Sequence, residues 1–273
     1  MADNTQKIIA IANQKGGVGK TTTAINLAAA LSKRNQRVLL VDIDPQGNAS
    51  TGIGIEPEQR DLTTYELLLE DDADVDQIIK PTHMPNLYVI PATVDLSSAD
   101  IELVKSEKRS FLLHDALRQQ KMLDHNFDFI LIDCPPSLNL LTVNAMIAAD
   151  SVLVPLQSEF FALEGLSQLM LTIREVRAAG NPDLRIEGVL LTMYDGRNNL
   201  SLQVEQDARE TLGNVVFRTI VPRNVRLSEA PSFSMSVLDY DPQSKGARAY
   251  HNLATEILNR QTRSGVQYDK TGS

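Results

Sequence analysis

Apolar residues in this chain fall into short, uninterrupted runs. Residues 7–13 (KIIAIAN), 37–42 (RVLLVD), 86–90 (NLYVI), 127–132 (FDFILI), 150–155 (DSVLVP) and 186–193 (IEGVLLTM) are rich in Val, Ile and Leu and lack clean alternation. Runs of this kind predict strands covered on both faces. Stretches with helical patterning separate them, at roughly 21–33, 95–121, 138–148, 161–179 and 199–212. Strand and helix in alternation predict the α/β class: a single domain with a mostly parallel twisted sheet, right-handed crossovers and helices on both faces. Residues 43–60, with Pro45, Gly47, Gly52, Gly54 and Pro57, read as a loop. No Pro/Gly/Ser-rich or charge-run linker interrupts the chain. One domain is therefore expected over residues 1–260, followed by a polar, disordered tail over 261–273. Ligands of such sheets bind at the C-terminal ends of the strands, so the polar residues there are the candidates for chemistry.

The first run is followed by Gln14-Lys15-Gly16-Gly17-Val18-Gly19-Lys20-Thr21-Thr22. The ending Gly19-Lys20-Thr21 matches the phosphate-binding P-loop G-x-x-x-x-G-K-S/T, although Gln14 stands where the leading glycine belongs. Glycines let backbone N–H groups converge on phosphate, and a helix starting near Lys20 adds its positive end. Lys20 then neutralises the β and γ oxygens, and the Thr21 hydroxyl ligates Mg²⁺. A bare glycine turn is the plain alternative, and the strand before and helix after argue against it.

Two runs end in acids: Val41-Asp42-Ile43-Asp44-Pro45 and Ile132-Asp133-Cys134-Pro135-Pro136. An aspartate after an apolar strand, in a chain with a P-loop, is placed to hold Mg²⁺, which assigns Asp133. Asp44 is the candidate for orienting or activating the attacking water, with a share in the metal; Asp42 supports Lys20 or the loop. Taken alone, each acid is equally a turn former.

Composition narrows the picture. A single cysteine, Cys134, excludes a disulfide framework and any multi-cysteine metal site in one chain. No apolar run approaches a membrane span, and no signal-peptide pattern opens the sequence, so the expected compartment is the cytosol. With no Trp and 5% aromatics, base stacking on an aromatic platform is not expected. The net charge of −9 is unevenly spread: residues 1–173 carry 13 Lys or Arg against 23 Asp or Glu, and residues 174–273 carry 13 against 12. A basic patch can act locally within an acidic whole, because salt screens charges beyond roughly 8 Å.

The motifs K-G-G-V-G-K-T-T, D-P-Q-G-N-A-S-T-G, L-I-D-C-P-P-S and V-P-R-N-V-R-L-S-E-A-P-S span nearly the whole chain. Together they resemble the ParA/Soj chromosome-partitioning ATPases, within the deviant Walker A group of P-loop proteins. The resemblance implies an ATPase of weak intrinsic activity that uses ATP and Mg²⁺. It implies that Lys15 reaches across a sandwich homodimer to the partner's nucleotide, and that residues 16–22 cradle phosphate. Pro222, Arg223 and Asn224, with Met193, would line adenine and ribose. The ATP-bound dimer would bind double-stranded DNA nonspecifically through Arg197, Arg218, Arg223, Arg226, Lys245 and Arg248, each of which could instead be a solvated surface charge. A ParB-like partner would stimulate hydrolysis through a basic segment, at the nucleoid and not at a membrane. The first strand begins too early for a preceding helix-turn-helix, so operator-specific repression is not expected.

Three rival readings stand beside this one. A MinD-like membrane-positioning ATPase would carry an amphipathic C-terminal helix, whereas residues 258–265 are polar. A reductase resembling nitrogenase iron protein needs two cluster cysteines per chain. A nucleoid-based ATPase that positions a protein cargo remains open on sequence alone.

Overall fold

The computed structural model describes residues 6–70, 73–103, 108–159 and 162–268. Seven strands form one sheet: β1 (Lys7–Ile11), β2 (Val38–Asp42), β3 (Lys80–Pro81), β4 (Leu87–Ile90), β5 (Phe129–Asp133), β6 (Ser151–Gln157) and β7 (Arg185–Thr192). Their order is β3-β4-β2-β5-β1-β6-β7, and every pairing is parallel except that of the edge strand β3 with β4. The helices are α1 (Lys20–Ser32), α2 (Asn48–Gly52), α3 (Thr64–Leu69), α4 (Val75–Ile78), α5 (Leu96–Leu103), α6 (Leu112–Arg118), α7 (Gln120–Asp124), α8 (Leu140–Ala148), α9 (Ala162–Ala179), α10 (Asn199–Leu212), α11 (Val225–Glu229), α12 (Val237–Tyr240) and α13 (Lys245–Tyr268).

The unbroken apolar runs are explained by the two cores. Successive strand residues point to opposite faces. Ile8, Ala10, Leu39, Val41, Ile130 and Ile132 join one core, closed by α3, α5, α6, α8, α9 and α10. Ile9, Ile11, Val38, Leu40, Phe129 and Leu131 join the other, closed by α1, α12 and α13. Each such Val, Leu, Ile or Phe side chain contributes about 1.5–3 kcal/mol by leaving water. Because both faces are buried, polar chemistry is confined to the strand ends.

Three expectations are revised. The helix read over 95–121 is three short helices: Gln119 is extended (φ −64°, ψ 150°), and the Arg109 carbonyl turns away to accept the Asn144 side-chain amide at 2.7 Å. Residues 43–60 hold α2, whose entry needs the left-handed backbone of Gly47 (φ +61°). Finally, α13 runs to Tyr268, well into the stretch read as a tail, while residues 269–273 lie outside the described residues.

The register of β6 with β7 slips once: Val152 faces Ile186 but Leu153 faces Gly188, which leaves Glu187 as the extra residue. Its carboxylate meets Lys7 Nζ at 2.6 Å and Ser151 Oγ at 2.8 Å. The next residue has no room for a side chain, since a Cβ on Gly188 would lie 2.5 Å from the buried Phe217 ring. Gly188→Ala should therefore destabilise the fold by about 1–3 kcal/mol. An unchanged urea midpoint would show that Phe217 yields freely.

Candidate functional site: a phosphate loop over buried carboxylates

Parallel register builds the site. Ile11 pairs with Asp133, and Asp133 pairs with Asp42, so β1, β5 and β2 end level with one another. The loop leaving β1 thus passes over two carboxylates. Gly17 (φ +73°) and Gly19 (φ +89°) take left-handed backbone that disfavours a side chain, and Gly19 starts α1. The loop is pinned at three places. Asn13 Nδ2 donates to the Pro155 carbonyl at 2.7 Å, Lys15 N donates to Asn13 Oδ1 at 3.0 Å, and Thr192 Oγ1 donates to the Val18 carbonyl at 2.8 Å.

Lys20 is buried, and its ammonium donates to the Lys15 carbonyl at 3.0 Å. Burial lowers its pKa, while Asp133, Cys134 and Asp44 act in the opposite direction. Thr21 and Thr22 follow on the first turn of α1 and are half-buried. The Lys15 side chain turns outward to Glu159, with Nζ 2.9 Å from Oε2 and both side chains nearly half exposed.

The three acids differ sharply. Asp133 is fully buried, and among the described residues neither carboxylate oxygen has a hydrogen-bond partner. Its pKa is pushed well up, first by burial and then by Asp42. Thr21 and Lys20 lie close enough to favour its charge, although neither makes a hydrogen bond of ordinary geometry to it. Asp42, equally buried, is well provided for: it accepts from Ser50 Oγ at 2.7 Å, Ser50 N at 2.9 Å and Asp44 N at 3.2 Å. Burial still raises its pKa to about 6. Asp42 is thus an anchor for the loop rather than a partner of Lys20. Asp44 is 7% exposed, and its Oδ1 accepts from Gln46 N at 3.0 Å. Cys134 is buried, and its thiol pKa is pushed up, chiefly by burial and then by Asp133.

Beside the phosphate loop, Met193 takes φ +50° directly after Thr192. Tyr194 then bridges to Pro222: Tyr194 N donates to the Val221 carbonyl at 3.1 Å, and Arg223 N donates to the Tyr194 carbonyl at 2.9 Å. Met193 and Pro222 to Asn224 are therefore brought together next to the loop. The side-chain oxygen of Asn224 is engaged in capping α11 through Arg226 N at 2.9 Å.

The six basic candidates do not form one uniform patch. Arg197 is held in two hydrogen bonds by Asp195, whose pKa falls to about 2 as a result. Arg226 is shared between Glu229 (2.8 Å) and Asp241 (3.3 Å). Arg223, Lys245 and Arg248 are exposed and make no ion pair among the described residues. Lys245 and Arg248 stand on the first turn of α13, where Gly246 packs against Leu227 of α11. Arg218 lies apart, in a groove beside Arg209, Glu256 and Arg260.

The sequence reading missed Ser50, Arg60 and Glu159. Ser50 lies inside a motif already quoted, but its partner Asp42 is eight residues back. Arg60 and Glu159 carry no local signal.

A family model described as an AAA domain matches residues 6–186. Chromosome partitioning protein ParA of Caulobacter vibrioides is 56% identical over 261 residues, which is 96% of this chain and 97% of that protein. Sporulation initiation inhibitor protein Soj of Bacillus subtilis is 55% identical over 251 residues, 92% of this chain and 98% of its own. Among solved structures, cobyrinic acid a,c-diamide synthase from Mycobacterium smegmatis with bound ADP and magnesium matches with a TM-score of 0.82 and 37% identity, over 96% of this chain and 97% of that one. Identity at this level, over almost the full length of both partners, shows that the chain belongs to the ParA/Soj family of chromosome-partitioning ATPases.

Proposed function

We propose that this chain hydrolyses ATP to ADP and phosphate, that its ATP-bound homodimer binds double-stranded DNA without sequence preference, and that release after hydrolysis drives chromosome or plasmid segregation at the nucleoid. The observation that carries the nucleotide reading is Asp133. A buried carboxylate with two unpartnered oxygens is costly unless a cation completes it. Magnesium suits this place, because it takes one or two carboxylates and fills its other positions with phosphate oxygens and water. Among the described residues no group of three or more His, Cys, Asp or Glu could cage a metal alone, which fits an ion shared with a substrate. Thr21, Asp44 and Asp133 would hold it, and the ion would neutralise charge on the β and γ oxygens.

In hydrolysis a water oxygen bonds to the γ-phosphorus and the bond to the β–γ bridging oxygen breaks. The protein's part is positioning and electrostatics. Backbone N–H groups of residues 16–20 and the Lys20 ammonium hold the phosphates. Asp44, fixed by Gln46 N, orients the water. Lys15 from the second chain would offset charge growing on the bridging oxygen, which requires it to leave Glu159. Such an arrangement is slow until a partner completes it. A ParB-like protein with a basic segment matches the acidic balance of residues 1–173. Among the described residues no helix is long and apolar enough to cross a membrane.

For DNA, Arg223, Lys245 and Arg248 are the groups with charge to spare. One protomer offers few phosphate contacts, and a dimer doubles them, so affinity should depend on ATP and fall steeply with salt.

Asp44→Ala should keep ATP and DNA binding but lose turnover; undiminished phosphate release would remove Asp44 from its role. Arg223→Glu should weaken DNA retention more than Arg226→Glu, because Arg226 is already neutralised by Glu229 and Asp241. Gel shifts with ATP, ADP and no nucleotide at two salt concentrations check this. Removing one phosphate-binding cation from each chain should lower the dimer's salt slope by about 1.8, at about 0.9 per contact. Equal retention with and without ATP would sink the dimer reading.

A further inference from the structure

Arg60 lies outside every motif, yet it is 9% exposed and sits at the centre of the loop that carries Asp44. A guanidinium has five N–H donors, and all five are used. Nε donates to the Ile55 carbonyl at 3.0 Å. Nη2 donates to the same carbonyl at 2.6 Å and to Thr51 Oγ1 at 2.7 Å. Nη1 donates to the Ala92 carbonyl at 3.1 Å and the Gly47 carbonyl at 3.4 Å. None of these acceptors is a carboxylate. The arginine is used for its rigid fork, which a lysine cannot copy.

Those contacts fasten the start of α2 (Gly47), its last turn (Thr51) and Ile55, three residues beyond it, to the segment leaving β4 (Ala92). The connection to Asp44 is short, since Gly47 N donates to the Asp44 carbonyl at 2.9 Å. Gly47 is fitted to the arrangement from the other side. A Cβ there would lie 2.5 Å from Arg60 Nη1 and 2.8 Å from the Ala92 carbonyl oxygen. Ser50 provides the remaining tie, reaching Asp42 and accepting from Ala92 N at 3.0 Å.

We propose that Arg60 is a positioning residue for hydrolysis, clamping residues 47–55 onto the end of β4 so that Asp44 is held in its working orientation before ATP arrives. The inference rests on the proposed role of Asp44. It separates turnover from nucleotide binding, because the phosphate loop and α1 make none of the five contacts.

The test measures kcat and ATP affinity on the full chain for Arg60→Ala, Arg60→Lys, Gly47→Ala and Asp44→Ala, with thermal melting as a control for folding. Arg60→Ala should lose about tenfold or more in kcat, since misplacements near 1 Å can cost a hundredfold, while ATP affinity stays within about twofold of wild type. Arg60→Lys and Gly47→Ala should be slow in the same way, and they carry the test if Arg60→Ala does not fold. Wild-type kcat in the Arg60 variants beside an inactive Asp44→Ala overturns this inference alone. So does a parallel loss of ATP affinity and kcat, or full rescue by lysine. Full turnover in Asp44→Ala overturns the reading of Asp44 and this inference with it.

Discussion

Asp42 and Asp133 are neighbours in register on adjacent strands, and both are fully buried. Two like charges so placed oppose each other's ionisation as well as their own desolvation. Much of the structure around them is a response to that problem. The Ser50 hydroxyl and amide satisfy Asp42, and doing so folds residues 43–52 back over the sheet end. Thr64 adds a bond from its hydroxyl to the Asp42 carbonyl at 2.6 Å. Lys20 brings the nearest cation to Asp133 but remains bonded to the Lys15 carbonyl. One acid is thus fully solvated by protein, and the other has no hydrogen-bond partner among the described residues. That asymmetry arises from otherwise similar strand ends.

Helix α1, which the phosphate loop enters, is fastened to two others by side-chain hydrogen bonds. Thr23 Oγ1 and Tyr250 Oη lie 3.2 Å apart in the core, joining α1 to α13. Asn26 accepts from Val237 N at 2.7 Å and donates to the Thr22 carbonyl, joining α1 to α12. Buried polar contacts of this kind are costly to break. They fix the orientation of α1 relative to the helix on which Lys245 and Arg248 stand. The nucleotide site and the basic surface thus belong to one packed unit.

The strands, the phosphate loop and both strand-end acids were legible in the sequence because their signals are local. An apolar run marks a covered strand, and G-K-T-T after such a run marks a phosphate loop. What escaped notice depends on distance along the chain. Lys15 finds Glu159, Thr23 finds Tyr250, and Arg60 finds Ala92; none of these pairings leaves a periodicity or a spacing to read. The division of residues 95–121 into three helices was hidden for a similar reason, since one of its two breaks lies where the Arg109 carbonyl meets Asn144 from another helix. Among the basic residues, Arg197 and Arg226, named as DNA-binding candidates, are paired with Asp195, Glu229 and Asp241, acids that the sequence contains and the fold brings close.

The contact between Lys15 and Glu159 has a thermodynamic corollary. An ion pair this exposed is worth at most about 1 kcal/mol, less than the roughly 1.4 kcal/mol that changes an equilibrium tenfold. If the Lys15 of each chain serves the other's nucleotide, two such pairs are given up, and the association constant shifts by at most about 2 kcal/mol, between one and two orders of magnitude. The pair therefore sets a mild bias toward the solitary chain, one that rising ionic strength would erode. Control over pairing then falls to the nucleotide, with its several formal negative charges, and not to this surface contact.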